Sequence, residues 1–206
     1  MTIRGYHVKQ RKGMGHWEPI LEEWLLGIER FCRVTGGDEA PYWYNERSNI
    51  GVLAGAAWRC GRVALEEFQF VKGFKNKPKW LGRADLWIAS DQHEELIEAK
   101  FKWCSLNSRN GIASVANDTL DLATSDAKKS RGGGLELKAI GVAFVPFYTK
   151  ECEIEKLGSL IDSAISNLKT SNYHAMAWCF PRETRQSNSA KGNYLPGIVM
   201  LAKNVD

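Results

Sequence analysis

The sequence predicts an α/β protein built on a mixed β-sheet flanked by helices. Three observations carry that prediction. LKAIGVAFVPFYT, residues 137–149, is a nearly continuous apolar run, the signature of a strand covered on both faces. GRADLWIASDQHEELIEAKFKW, residues 82–103, is two stretches of alternating apolar and polar residues around a polar turn, the pattern of an antiparallel hairpin. Around these lie segments whose apolar residues recur with helical spacing.

The elements follow in chain order. Residues 1–16 are basic and contain glycine, and they are expected to form an arm. Trp17, Leu21, Trp24, Leu25, Ile28 and Phe31 then fall on one helical stripe, with Pro19 near its first turn and Gly36-Gly37 past its end. A second helix is expected from about Tyr42 to Trp58, where Glu46, Ile50, Leu53, Ala54 and Ala57 share a face and Cys60-Gly61-Arg62 ends it. VALEEFQFVKGF alternates as a strand should, and the hairpin follows, so three strands can form a meander. A helix from about Ile112 to Lys129 runs into Gly132-Gly133-Gly134, and the buried strand comes next. A helix over about Ile154–Leu168 and two strands, YHAMAWCF and GIVMLA, complete the order. Residues 1–40 are thus an N-terminal basic arm and helix, and 41–206 an α/β core, within a single domain.

Composition narrows the class of protein. Of the 206 residues 44% are hydrophobic and 25% charged, ordinary for a globular chain and unlike a disordered one. The net charge of +4 permits a nucleic-acid partner without requiring it. The distribution says more: Lys72, Lys75, Lys77, Lys79 and Arg83 follow one another with no acid between them. Such a run is either a solvated loop or a loop that reaches for phosphates. Five widely spaced cysteines without a Cys-x-x-Cys pair give neither a disulfide framework nor a zinc site. No apolar run approaches the roughly 18 residues of a membrane span, and the first residues lack a signal-peptide core. A cytoplasmic location in a reducing interior is expected.

The hairpin carries charges that a merely half-buried sheet does not need. Side chains alternate across a strand, so Ala84, Leu86 and Ile88 share one face and Asp85 takes the other. In the next strand Ile97, Ala99 and Phe101 share a face, and Glu98 and Lys100 take the other. If Ala89 pairs with Glu94, Asp85 stands opposite Glu98; a slip of two residues puts Lys100 there instead. Both registers hold all three groups on one face. Two carboxylates that close repel unless a cation lies between them, and Mg²⁺ takes carboxylate oxygens, waters and substrate phosphates. The plainer alternative is an edge hairpin with a polar outer face. Glu-x-Lys occurs again at Glu136-Leu137-Lys138, but there it follows a glycine run with no hairpin carboxylate before it, and it reads as a strand entry.

Asp85 followed by Glu98-Ala99-Lys100 on consecutive antiparallel strands, after a helix bearing Glu46, resembles the PD-(D/E)XK nuclease superfamily, the restriction-endonuclease-like fold. The resemblance covers roughly residues 42–150, and Arg83-Ala84-Asp85 stands where the family usually has a Pro before its Asp. It implies Asp85 and Glu98 as metal ligands, the Ala99 carbonyl as a further one, and Lys100 as the group that positions the attacking water. Glu46 matches the helix glutamate that binds a second metal or a ligated water; as a residue type it is also a first-turn glutamate favoured by the helix dipole. Glu67 is its substitute if Glu46 faces away.

The resemblance further implies a Mg²⁺-dependent nuclease, with Mn²⁺ as a substitute, acting on nucleic acid and on DNA in preference to RNA. Lys72, Lys75, Lys77, Lys79 and Arg83, with Lys128, Lys129 and Arg131 at the end of the third helix, would hold phosphates. Cations at that helix end also satisfy its carbonyls. A homodimer or partner subunit is compatible with relatives of this kind. The rival is a nucleic-acid-binding or protein-interaction module that kept the fold and lost the chemistry.

Overall fold

The computed structural model describes residues 1–73, 77–108, 111–131, 137–150, 155–185, 187–189 and 192–205. Among them runs one mixed eight-stranded sheet with four α-helices. The strands are β1 (Ile3–Val8), β2 (Val63–Lys72), β3 (Trp80–Ala89), β4 (Glu94–Phe101), β5 (Cys104–Ser105), β6 (Lys138–Lys150), β7 (Ala175–Phe180) and β8 (Asn193–Asn204). The helices are α1 (Glu18–Val34), α2 (Glu46–Arg59), α3 (Ile112–Arg131) and α4 (Leu157–Lys169). In space the strands lie in the order β1-β7-β8-β6-β4-β3-β2, with the short β5 also paired to β6. β4 and β5 run parallel to β6 and all other neighbours are antiparallel.

The alternation of each strand decides which helices it meets. Ile97, Ala99, Ile140, Val142 and Phe144 point into a core completed by α1 and α2. Ala143, Val145, Phe147, Val199 and Leu201 point the other way, into a core completed by α3 and α4. β6 therefore needs apolar residues at successive positions, and its long apolar run is the middle of the sheet, as expected. The meander β2-β3-β4 also forms as expected.

The expected N-terminal arm is a strand for part of its length. Ile3–Val8 pairs antiparallel with β7, Ile3 opposite Phe180 and Val8 opposite Ala175. Its partner lies 167–177 residues away, so nothing local announces the pairing, and Arg4 and Tyr6 are exposed on this edge strand. A Cβ on Gly5 would lie 2.5 Å from the Trp178 ring, so the glycine is what admits that indole. α1 buries Ile20, Leu21, Trp24, Leu25 and Ile28 on the sheet, which makes it a layer of the core. The second helix starts later than expected, because Pro41–Trp43 forms a separate 3₁₀ turn and Asn45 caps α2 through Ser48 N–H at 3.1 Å.

One glycine fixes a helix to the sheet. A Cβ on Gly141 of β6 would lie 2.5 Å from the backbone nitrogen of Thr124 and 2.7 Å from its Cα. α3 therefore rests backbone-on-backbone over the centre of the sheet, which sets the height of every side chain it carries. Near the β3–β4 turn, buried Glu95 accepts hydrogen bonds from Trp17 Nε1 (2.8 Å) and, on its other oxygen, His16 Nε2 (2.5 Å), tying the start of α1 to β4. His93, in the turn, stacks on His16 with ring centroids 4.0 Å apart.

Candidate active site

The hairpin takes the register that places its acids opposite each other. Ala89 pairs with Glu94 and Leu86 with Ile97, after which the ladder ends. Continuing that register sets Asp85 opposite Glu98. There the strands part: the Ala99 N–H turns to Asp85 Oδ2, at 2.7 Å. A side-chain carboxylate thus does the work of a backbone acceptor, and the gap between β3 and β4 opens at the acids.

Asp85, Glu98 and Lys100 lie on the α3 face, and α3 supplies partners that the hairpin sequence does not announce. Glu98 is buried, and its Oε1 accepts from Lys72 Nζ at 2.6 Å and from Ser130 Oγ at 2.5 Å. Asp126 Oδ2 lies 2.8 Å from Lys100 Nζ, and its Oδ1 lies 2.6 Å from Lys129 Nζ. Lys100 Nζ also donates to the Ala99 carbonyl at 2.9 Å. Asp126 and Ser130 had a signal in the sequence: Ser130 continues the buried stripe of Ala116, Leu120, Ala123 and Ala127, where an apolar residue would serve packing alone. Asp126 sits one turn before it.

Glu46, the first residue of α2, arrives from the opposite layer. Burial raises its carboxyl above the usual range; Lys100 opposes that, while Asp85, Glu98 and Asp126 add to it. Four carboxylates therefore share a field at the end of the hairpin with the Lys100 ammonium, beside Lys72 on Glu98 and Lys129 on Asp126. Glu67 does not join them in the same way. It ion-pairs Arg83 at 2.6 Å, and its φ of +53° is a strained backbone for a residue with a side chain.

The charges have unequal standing. Burial raises the Asp85 carboxyl, and the Ala99 amide, Lys100 and Lys72 lower it by less. Burial and then the charge of Asp85 raise Glu98, against the hydrogen bonds from Lys72 and Ser130. Burial pulls Lys100 down, but the hydrogen bond and charge of Asp126, with Glu46 and Asp85, raise it above its ordinary value. Lys100 is thus a fixed cation at neutral pH, suited to holding negative charge and unsuited to taking a proton.

The expected phosphate-binding residues separate into groups. Lys72 is held inside the site on Glu98, Arg83 is held by Glu67, and Lys129 by Asp126. These three are engaged on carboxylates in this structure, Lys72 inside the site and Arg83 and Lys129 nearer the surface. Lys77, Lys79 and Lys128 are exposed. Lys75, the Arg131 side chain and Glu136 lie outside the described residues.

The donor set suits a hard divalent cation. Among the described residues no hydrogen bond reaches Asp85 Oδ1 or Glu98 Oε2, and both belong to carboxylates that burial and repulsion discourage from ionising. No three Asp, Glu, His or Cys side chains among the described residues close into a cage. An open site of this kind fits Mg²⁺, which keeps several waters and binds through one or two carboxylates.

Without a cation the raised Asp85 carboxyl is a stability cost. The cost is nil below the unfolded value of 3.8, grows as pH rises from there, and is complete above the higher folded value. Asp85→Asn keeps an oxygen for the Ala99 amide and removes the charge. In EDTA at pH 7 it is expected to stabilise the fold by about 1 kcal/mol. That raises Tm by about 2–4 °C, and the gain should vanish near pH 4. Thermal unfolding followed by circular dichroism across pH measures it, and equal Tm values at pH 7 refute it.

Among the described residues no helix is long and apolar enough to cross a membrane. Comparison with known protein families, with curated proteins and with solved structures finds no match.

Proposed function

We propose that this chain is a metal-dependent nuclease of the PD-(D/E)XK kind, hydrolysing phosphodiester bonds, with DNA as the favoured substrate. The observation that carries the proposal is the meeting of Asp85, Glu98 and Lys100 on one face where β3 and β4 part. The order of α2, the meander β2-β3-β4, the crossover α3 and a β6 parallel to β4 supports a restriction-endonuclease-like core. The preference for DNA rests on the resemblance alone.

Asp85 and Glu98 would hold a Mg²⁺ ion, with the Ala99 carbonyl beside them and Glu46 as the additional acid. That ion supplies Lewis-acid stabilisation and a more acidic water. Lys100 positions the water and balances the charge that grows on the phosphoryl oxygens. Asp126 orients Lys100, with Lys129 as its second partner. Ser130 and Lys72 fix the rotamer of Glu98, which a flexible glutamate needs if its second oxygen is to stay aimed.

The Lys72–Glu98 ion pair also favours a second reading, a module that binds nucleic acid without cutting it, since Glu98 already has a cation. Cleavage of supercoiled, linear and single-stranded DNA, and of RNA, with Mg²⁺ or Mn²⁺ against EDTA separates the two. The nuclease reading expects metal-dependent cutting of DNA. No cutting of any substrate, together with no Mn²⁺ binding by calorimetry, sinks it.

A further inference from the structure

A second charged site lies on the same face of the sheet, and its sign is opposite. Arg11, Lys12, Lys128, His174 and Lys203 line a cavity of about 380 Å³ with Thr124 at its wall. Among the described residues no carboxylate forms an ion pair with Arg11, Lys12, Lys128 or Lys203. Nearby Lys9 is engaged on neutral groups, donating to the Ser171 carbonyl at 2.6 Å and lying over the Tyr173 ring. The cations repel one another: burial and then Lys12 and Lys203 hold both Lys9 and His174 below their ordinary values. Cations gathered in a concavity with no ion pair among the described residues suit a visiting anion.

The strand register locates this cavity relative to the acids. Glu98 of β4 is opposite Gly141 of β6, and Gly141 is opposite Lys203 of β8. Ala202 pairs with Ala175, so the same register continues from Lys203 to His174. His174, Lys203, Gly141, Glu98 and Asp85 therefore form one row across the sheet, all facing α3. Lys203 and Glu98 are two strand spacings apart, about 10 Å, and Asp85 one further, at about 14 Å. Successive phosphates of one strand, which wind round the axis as they rise, lie about 6–7 Å apart through space, so that separation spans about two phosphates. α3 sits between the two sites on Gly141 and serves both. It turns Thr124 and Lys128 to the cavity, and Asp126, Lys129 and Ser130 to the acids.

We infer that this cavity binds a phosphate of the same nucleic-acid strand whose scissile bond lies at Asp85 and Glu98, about two nucleotides away. The inference rests on the nuclease reading for its substrate and on the cavity for its place. A strand end and an internal diester offer the same chemistry there. The cavity then fixes the register of the strand and so the position of the cut.

The test measures binding apart from catalysis. The full chain, its K12E/K203E variant and Asp85→Asn are titrated in EDTA against fluorescein-labelled single-stranded and duplex oligonucleotides by anisotropy, at several salt concentrations. Both cations are exposed or half-exposed, and reversing them relieves repulsion, so a Tm at or above that of the wild type certifies the fold. The expected result is at least a ten-fold weaker Kd for K12E/K203E and a salt slope shallower by about 1–2, with Asp85→Asn binding at least as tightly as the wild type. Oligonucleotides with 5′-phosphate, 3′-phosphate or hydroxyl ends, and a circular strand, identify the source of the phosphate. A preference for one phosphorylated end that K12E/K203E loses assigns a terminal phosphate, and equal losses on all of them assign a diester. An unchanged Kd and slope in K12E/K203E overturns the cavity, even if the wild type cuts DNA. A weakened variant of a wild type that cuts nothing keeps the cavity and overturns the nuclease reading.

Discussion

Lys100→Ala is expected to lower the metal-dependent cleavage rate by about 10²–10³-fold, the loss of about 3–4 kcal/mol of transition-state stabilisation from one fixed donor. Mn²⁺ affinity should stay within a few-fold of the wild type, because Lys100 donates to the Ala99 carbonyl and is no ligand itself. The fold should survive, since Asp126 keeps Lys129 at 2.6 Å. Lys100→Arg should not rescue it: the longer planar guanidinium would be carried past the point where the ammonium sits. Single-turnover cleavage and calorimetric Mn²⁺ titration read the two quantities separately. Loss of metal binding with loss of rate would instead mean that Lys100 only shapes the site. An unchanged rate would remove it from the chemistry altogether.

Gly141→Ala should damage the molecule more than any surface change, although it adds one methyl group. That methyl must displace backbone atoms of α3, and no rotamer can relieve a clash with a helix nitrogen. Overpacking of this kind costs about 1–3 kcal/mol, and we expect the upper end, a fall in Tm of about 6–12 °C. Activity should fall as well in the surviving folded fraction, because a lifted α3 carries Ser130 away from Glu98 and Asp126 away from Lys100. Gly158→Ala is the control: nothing lies within 4 Å of its added Cβ, and in α4 alanine should stabilise by about 0.5–1 kcal/mol. Equal Tm values for Gly141→Ala and the wild type would mean that α3 is not seated as described.

Much of the site was legible because its geometry is local. Strict alternation put Asp85, Glu98 and Lys100 on one face from letters alone, and the structure chose between the two registers that the sequence left open. β6 was legible because a strand covered on both sides leaves no polar positions. What escaped the sequence was non-local. β1 pairs with a strand at the far end of the chain, and its exposed basic residues imitate an arm. Lys72 belongs to a run of cations that invites a phosphate role, yet β2 delivers it to a buried carboxylate. Ser130 shows only as a polar break in the buried stripe of α3, and neither it nor Asp126 points to the acids until α3 is laid over Gly141.

The row of residues from His174 to Asp85 also has a direction. Cations gather at one end and carboxylates at the other, so this face of the sheet carries a dipole transverse to its strands. A polyanion approaching it is attracted and aligned before it touches anything, then repelled as it nears the acids. Arrival and engagement are consequently different events with different sensitivities. If the proposed reading holds, monovalent salt would govern the first by screening the cations, and a divalent ion the second by cancelling the acids. On the nuclease reading proposed above, encounter would have a fixed order: docking at the basic end, then commitment at the acidic one.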